Sequence, residues 1–374
     1  MKFTITRSQL QRGLARIQSI VEKRNTMPIL ANVLIEVSGS EDAGQMELSA
    51  TDLEVGIRST HPCTTFESGS VTASAKKLYE IVRELADEPI QIQISSNAYL
   101  TIRCARAEFT LAGTTADEYP TLPGFTSKKM ATVQAAVLAE MIDRTMYAAS
   151  VDETRYNLNG VFIEQQPDTG KVRMVATDGH RLAYADRALG TDLGDVANGV
   201  IIPRKGLAEL KRLVDEEDSD EVQLGFRGNS GLARKGDVTL VMRLIEGEFP
   251  NYRQVIPNDM VHQLTLPTEP LVHALRRVSL LSAERSRAVK LELNDGHLAL
   301  SSSNPDLGDA REELDVDYAG EAITIAFNAR YLIDALGVAS SKEVKLAFRD
   351  SLSPAQVQPA DDEDSLAVVM PMRV

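Results

Sequence analysis

Val172-Arg173-Met174-Val175-Ala176-Thr177-Asp178-Gly179-His180 echoes Met46-Glu47-Leu48-Ser49-Ala50-Thr51-Asp52-Leu53-Glu54, and Leu298-Ala299-Leu300-Ser301-Ser302-Ser303-Asn304 carries a weaker third copy. Asp52, Asp178 and Asn304 follow one another at intervals of 126 residues, in a chain of 374. A period this long marks a duplicated domain and not a short solenoid unit. Three similar domains are expected, at 1–125, 126–257 and 258–374.

The rest of each third keeps the same order. An amphipathic helix comes first (Ser8 to Arg24, Gln134 to Ser150, Pro270 to Ser282), then alternating runs such as Val33 to Val37 and Val161 to Glu164 that read as strands. A second helix follows the repeated stretch, at Leu78 to Ile81, Leu207 to Leu210 and Leu332 to Ala335. Strand runs succeed it at Ile90 to Ile94, Glu221 to Phe226 and Glu343 to Phe348. The fold class is α+β, each domain packing two helices on mostly antiparallel sheet.

Composition excludes several classes. With 43% hydrophobic and 25% charged residues, the chain is globular and neither disordered nor fibrous. The opening Met1 to Arg7 has no apolar core of signal-peptide length and no run of about eighteen apolar residues occurs, so the cytoplasm is the expected address and no membrane partner is expected. Cys63 and Cys104 are too few for a disulfide framework and read as inert thiols.

A net charge of −14 argues against nucleic acid until the bases are located. The six helix windows (7–24, 74–88, 134–155, 203–214, 270–290 and 328–342) hold 21 Lys and Arg against 12 Asp and Glu, which leaves −23 on the remainder. Basic helices thus sit in an acidic envelope. In the first helix, Leu10, Leu14, Ile17 and Val21 share one face and Arg12, Arg16 and Lys23 the other. Recurrence at Arg204, Lys205, Lys211, Arg212 and at Arg276, Arg277, Arg285, Arg287 suggests a phosphate track inside a molecule whose exterior repels DNA.

Catalysis would rest on Asp178 and His180, as base and orienter in a metal-dependent hydrolase or nuclease. The chain has no GxSxG, no P-loop and no HExxH, and His61, His262, His273 and His297 lack metal-ligand spacing, so no catalytic, cofactor or metal site is expected. Asp52 stands in the place of Asp178, which reads both as turn residues. Gly179-His180-Arg181, by contrast, departs from its own repeat partner and marks a site specific to the middle domain, with Leu158, Leu182, Pro250 and Val255 as apolar neighbours.

The combination of Met1-Lys2-Phe3-Thr4, Met27 to Asn32, Arg155 to Gly160, Ala176 to Leu182, Pro203 to Gly206, Phe249 to Arg253 and Val368 to Val374 closely resembles the bacterial DNA polymerase III β-subunit family, the sliding clamps, across the whole chain. The resemblance implies a head-to-tail homodimer whose six domains close a ring around double-stranded DNA, with helices lining the hole. It implies no chemistry, but a tether for the polymerase III catalytic subunit, with the clamp loader, other polymerases and repair proteins as further partners. Those proteins would bind by a short apolar peptide in a groove of Leu158, Thr177, Gly179, His180, Arg181, Leu182, Pro250, Val255, Val369, Met370, Pro371, Met372 and Arg373. A Met- and Val-lined groove adapts to several peptides. Gln254, Pro354 and Val374 depart from the family pattern and bear on peptide preference.

For DNA the resemblance implies Arg24, Lys76, Tyr156, Arg204 and Lys205, with Asp152 standing where a neutral polar side chain is usual. For the dimer it implies Leu280 and Leu281 against Phe109 of the other chain, with Lys77 and Arg106 facing acids near Glu312. Leu280 points the same way on its own, since it lies about 180° around a helix from Leu271, on the polar face.

Overall fold

The repeated Asp builds the same turn twice, and Asn304 builds a variant of it. The computed structural model describes residues 1–21, 27–95, 97–123, 130–190, 193, 196, 199–217, 219–284 and 286–373. In it Asp52 Oδ1 accepts the backbone N–H groups of Glu54 and Val55 at 2.9 and 2.7 Å. Asp178 Oδ1 accepts those of His180 and Arg181 at 2.9 and 3.0 Å, and Asn304 Oδ1 that of Asp306 at 3.0 Å. A side chain that bonds its own backbone two residues on stands in for a turn hydrogen bond. Each preceding strand therefore folds back on the next: Gly44–Thr51 on Val55–Glu67, Val172–Thr177 on Arg181–Arg187, His297–Asn304 on Gly308–Asp315. The residue after the Asp needs a left-handed backbone, with φ of 78° at Leu53 and 87° at Gly179. Gly179 takes that conformation without the cost a Cβ brings.

Six α-helices occur among the described residues: α1 (Arg7–Ile17), α2 (Ala75–Glu84), α3 (Ala135–Met146), α4 (Arg204–Val214), α5 (Thr268–Val278) and α6 (Ala329–Gly337). They fall two to a third of the chain, as expected. Three end sooner than their apolar spacing suggests, α1 at Ile17, α3 at Met146 and α5 at Val278. In α1, Gln18 Nε2 donates to the carbonyl of Leu14 at 2.9 Å and Ser19 Oγ to that of Arg16 at 3.3 Å. Side chains thus take over last-turn carbonyls that a further turn would have used. Helix α5 tightens into a 3-10 turn at Ser279–Leu281, so the angular argument for Leu280, which assumed one continuous α-helix, does not hold; the side chain is nonetheless 76% exposed.

The chain forms two compact units, the first chiefly Met1–Ala135 with Ala208–Leu244, the second chiefly Ala136–Gly190 and Ile245–Val374 with the segment between 196 and 207. The middle repeat contributes to both because its strands pair outward. In the first unit its Val238–Arg243 strand pairs antiparallel with Val55–Glu67 of the first repeat, extending one sheet to 13 strands. In the second unit its Arg181–Arg187 strand pairs with Ser365–Val369 of the last, within an 8-stranded sheet. Pairing satisfies backbone groups that a free edge would leave to solvent or to another chain. Repeats thus join through sheet edges, which the period alone does not reveal.

Apolar faces of the helices cover the sheets. Leu10, Leu14 and Ile17 of α1 are fully buried, as are Leu78 and Val82 of α2. Beneath α1, His61 is 3% exposed, its Nε2 2.9 Å from Ser59 Oγ and its Nδ1 3.1 Å from Gln9 Oε1. Burial, with the positive charges of Arg16 and Arg12, pulls its pKa from 6.5 down to about 4. A base whose folded pKa is depressed stays neutral in the fold while the unfolded chain takes up a proton. Stability is unaffected above about pH 6.5 and falls from there down to about pH 4, by roughly 2 kcal/mol at pH 5. Melting of the first unit is expected to drop by several degrees between pH 7 and pH 5, and the drop to shrink in His61→Gln. An equal drop in both proteins would assign the acid sensitivity to other groups.

Candidate functional site

The last strand brings the two ends of the expected groove together. Ser365–Val369 sets Val369 opposite Arg181 and Val368 opposite Leu182. Met370 N–H then donates to the carbonyl of His180 at 2.9 Å, and Met372 N–H to that of Ala326 at 2.7 Å. Pro371, lacking an N–H, stands where the ladder stops. The turn Asp350–Pro354 lies beside this tail, because Ala355 pairs with Val369. It carries Leu352, 68% exposed, which sequence reasoning missed because a lone apolar residue in a Ser-rich turn gives no periodic signal.

The named groove residues divide by depth. Leu158, Thr177, Leu182 and Val369 are 9% exposed or less, which corrects any picture of them as open contacts. Leu182 belongs to a buried cluster with Val175, Tyr252, Leu366 and Val368, flanked by Phe249 and Ile256. Val255 and Met370 are 49% and 40% exposed, and Gly179, His180, Pro250 and Arg373 are also exposed. Pro371 and Met372 are half-buried, and Val374 lies outside the described residues. A buried floor under an exposed rim of Val255 and Met370 suits an apolar side chain arriving from outside.

Arg181 is a strut. Its Nη1 reaches Asp334 Oδ2 at 2.6 Å, its Nε Asp178 Oδ2 at 3.1 Å, and its Nη2 donates to the carbonyl of Tyr147 at 2.6 Å. The guanidinium also lies 4.6 Å from the Tyr331 ring centre and 5.3 Å from that of Tyr147. This one side chain ties the turn at 178–181 to α6 and to the segment after α3.

The same contacts overturn the hydrolase reading. Both carboxylate oxygens of Asp178 are engaged by the turn and by Arg181. His180 stacks its ring on Tyr331, with centroids 6.4 Å apart. No group of three or more His, Cys, Asp or Glu among the described residues could hold a metal ion.

The DNA set is dispersed and partly neutralised. Arg24 lies outside the described residues, as do Lys23, Arg285 and the expected boundary at Phe125. Lys76 is exposed on α2, 3.8 Å from Glu80. Tyr156 is 58% exposed, while Arg204 and Lys205 open α4. Elsewhere the basic faces carry less free charge than their sequence suggests. Arg16, placed on the solvent face of α1, instead pairs with Glu216, its side chain only 10% exposed. Lys211 pairs with Asp215 and Arg212 with Glu209. Arg16 turns toward an acid that comes near only in the fold, whereas Lys211 and Arg212 pair with acids three or four residues away in sequence. Asp152 caps the turn Glu153–Leu158 through Thr154, whose hydroxyl and N–H hold its carboxyl below the usual range, so it stays anionic.

Two residues of the expected dimer contact, Phe109 and Glu312, fall on sheet edges, while Lys77 lies on α2 and Leu280 and Leu281 in a 3-10 turn. Phe109, 39% exposed, is on the Ala107–Leu111 strand that ends the 13-stranded sheet. Glu312 is on the Gly308–Asp315 strand that ends a 4-stranded sheet. Leu281 is half-buried and Arg106 exposed. One expectation needs revision: Glu312 is already held by Arg277 at 2.5 and 2.9 Å, and Lys77 by Glu80 at 2.8 Å. Charge is thus partly satisfied within the protomer, leaving apolar contact and strand pairing to carry an interface. No helix among the described residues is long and apolar enough to cross a membrane.

Family models described as the N-terminal, central and C-terminal domains of the DNA polymerase III beta subunit match residues 1–123, 132–251 and 253–373. Among curated relatives, the beta sliding clamp of Caulobacter vibrioides is 38% identical over 378 residues and that of Escherichia coli K12 33% over 377, each match covering 100% of both chains. Among solved structures, Caulobacter crescentus pol III beta superposes with a TM-score of 0.93 at 38% identity. The DNA polymerase III subunit beta of Pseudomonas aeruginosa does so with 0.92 at 36%, again with 100% of each chain covered.

Proposed function

Because the chain belongs to the DNA polymerase III β-subunit family, the sliding clamps, we propose that two copies close head to tail into a six-domain ring around duplex DNA, and that the site at 178–181 and 369–373 is where its partners dock. The protein is a processivity factor and not an enzyme: it tethers the replicative polymerase to its template. The three domains are proposed at 1–125, 126–257 and 258–374; three family matches in the same order support a threefold division, with the last of them beginning earlier, at 253. Its place of work is the cytoplasm, where the template is.

One observation carries the ring. Repeats join within the chain by antiparallel pairing of sheet edges, and two edges of the same kind end their sheets, Ala107–Leu111 in the first repeat and Gly308–Asp315 in the last. An edge that pairs with a different edge of a second copy makes a heterologous contact, which closes when the rotation allows. Phe109 and Leu280 supply apolar surface at that junction, and Arg24, Lys76, Tyr156, Arg204 and Lys205 the DNA contacts. The clamp loader, other polymerases and repair proteins use the groove in turn.

Phosphate contacts weaken steeply with salt, whereas a topological link does not. Loaded on nicked circular DNA, the protein is expected to survive a high-salt wash and to leave once the circle is cut. Equal loss from circular and linear DNA in high salt would refute encirclement.

A further inference from the structure

The strand that opens the last repeat, His262–Pro267, ends the 8-stranded sheet and leaves one edge unpaired. Beside it lies a cavity of about 350 Å³ whose lining includes Gln263, Leu264, Thr265, Asp317, Lys345 and Gln358. We propose that this edge is a second docking site, other than the groove, which takes an extended peptide segment of a partner protein, bearing both an acid and a base, as an added strand.

The register shows which backbone groups face out. Thr268 N–H donates to the carbonyl of Lys342 at 2.9 Å, in line with the pairing of Pro267 with Glu343. Bonded and non-bonded pairs alternate along an antiparallel ladder. His262, Leu264 and Leu266 therefore turn their backbone groups to the Glu343–Phe348 strand, and Gln263 and Thr265 turn theirs to the open edge. Pro267, the next outward position, has no N–H to leave unsatisfied, as suits an edge. Leu264 is only 4% exposed, so the cavity reaches this strand at its backbone.

The first repeat shows what fits such an edge. Its opening strand, Lys2–Ile5, pairs on one side with Ile90–Ile94, as His262–Pro267 does with Glu343–Phe348. On its other side Lys2, Phe3 and Thr4 pair with Glu67, Thr65 and Thr64. The corresponding strand of the last repeat, Gly308–Asp315, pairs with His297–Asn304 and stops short of that position. Tyr318 reaches across instead, its hydroxyl 2.6 Å from His262 Nδ1. An extended segment is thus what the chain itself seats on the equivalent edge, and adding a strand to a free edge is a general mode of peptide recognition. Charge sets the composition of that segment. Lys345 and Asp317 are both exposed, and neither makes an ion pair among the described residues. A strand carrying Glu and Lys complements them.

The test uses the full-length protein and the synthetic peptide Thr-Val-Glu-Thr-Lys-Val-Thr, with binding read by fluorescence anisotropy and by hydrogen-exchange mass spectrometry. Exchange is expected to slow in 262–267. Copies of the peptide N-methylated at every second residue, made in both phases, should differ: the phase that blocks the edge-facing amides binds about tenfold weaker, and the other keeps its affinity. Thr265→Pro removes an outward donor and leaves the ladder to Glu343–Phe348 intact, so it should cost about tenfold in affinity with an unchanged melting temperature. An apolar peptide that fills the groove should not compete. Unchanged exchange in 262–267, equal binding of both N-methylated copies, or displacement by the groove peptide overturns the proposal, as does absence of binding at about 1 mM peptide. Should Thr265→Pro fail to fold, the N-methylated pair on the wild type decides alone.

Discussion

Replacing both Leu280 and Leu281 by Asp is expected to yield folded monomers that no longer remain on circular DNA. Leu280 is 76% exposed in the protomer, so a charge there costs the isolated fold little. In the dimer it would be stripped of water against Phe109 of the other copy with nothing to pair with, a penalty of about 2–3 kcal/mol per carboxylate. Two such charges weaken association about 1000-fold or more. Ion pairs across the junction offer little compensation, because Arg277 already engages Glu312 and Lys77 engages Glu80. Sedimentation equilibrium at micromolar concentration reads the result, and Leu280→Asp alone separates the effect from any strain at half-buried Leu281. A variant still dimeric under these conditions would move the interface elsewhere.

Removing Met370 to Val374 is the second large effect. The deletion takes away an exposed rim residue, the half-buried Pro371 and Met372, and the backbone bonds of Met370 and Met372 to His180 and Ala326. Two lost hydrogen bonds cost about 1–3 kcal/mol, a modest fall in melting temperature. Peptide affinity is expected to drop at least 100-fold, since one wall of the groove is gone and its floor of Leu182 and Val369 is opened to water. Dimer mass should be retained, because the tail pairs beside Arg181–Arg187 and not at either free sheet edge. Retained peptide affinity would defeat the assignment. Collapse of melting together with loss of the dimer would mean that the tail merely completes a sheet.

Much of the candidate site is visible in the linear chain, because it departs from an internal reference. Gly179-His180-Arg181 differs from Leu53-Glu54-Val55 at the same place in the repeat, and that difference needs no structure to be seen. Part of it turns out to be conformational: both 53 and 179 take a left-handed backbone, which Gly179 accepts without strain. Tyr331, Arg330 and Arg287 gave no such signal. They sit in an ordinary helical or loop pattern and gain meaning only when the fold sets them around His180 and Arg181.

Local rules suffice for the rest of what the chain determines by itself. The interval of 126 residues, the period of the apolar positions and the Asx chemistry of Asp52 and Asp178 name three similar α+β domains and the turns within them, since each depends on residues close in sequence. Charge could not be read in the same way. Arg16 looked like a solvent-facing cation and is paired with Glu216, 200 residues away; Arg181, expected in the groove, is also a strut among Asp178, Asp334 and Tyr147. Nor could the joining of repeats be foreseen, because backbone groups at a sheet edge pair with whatever edge the fold presents, whatever the side chains on it. Pairing across long sequence distances is a property of the folded chain alone, and it decides which arginines stay free and which sheet edges remain open.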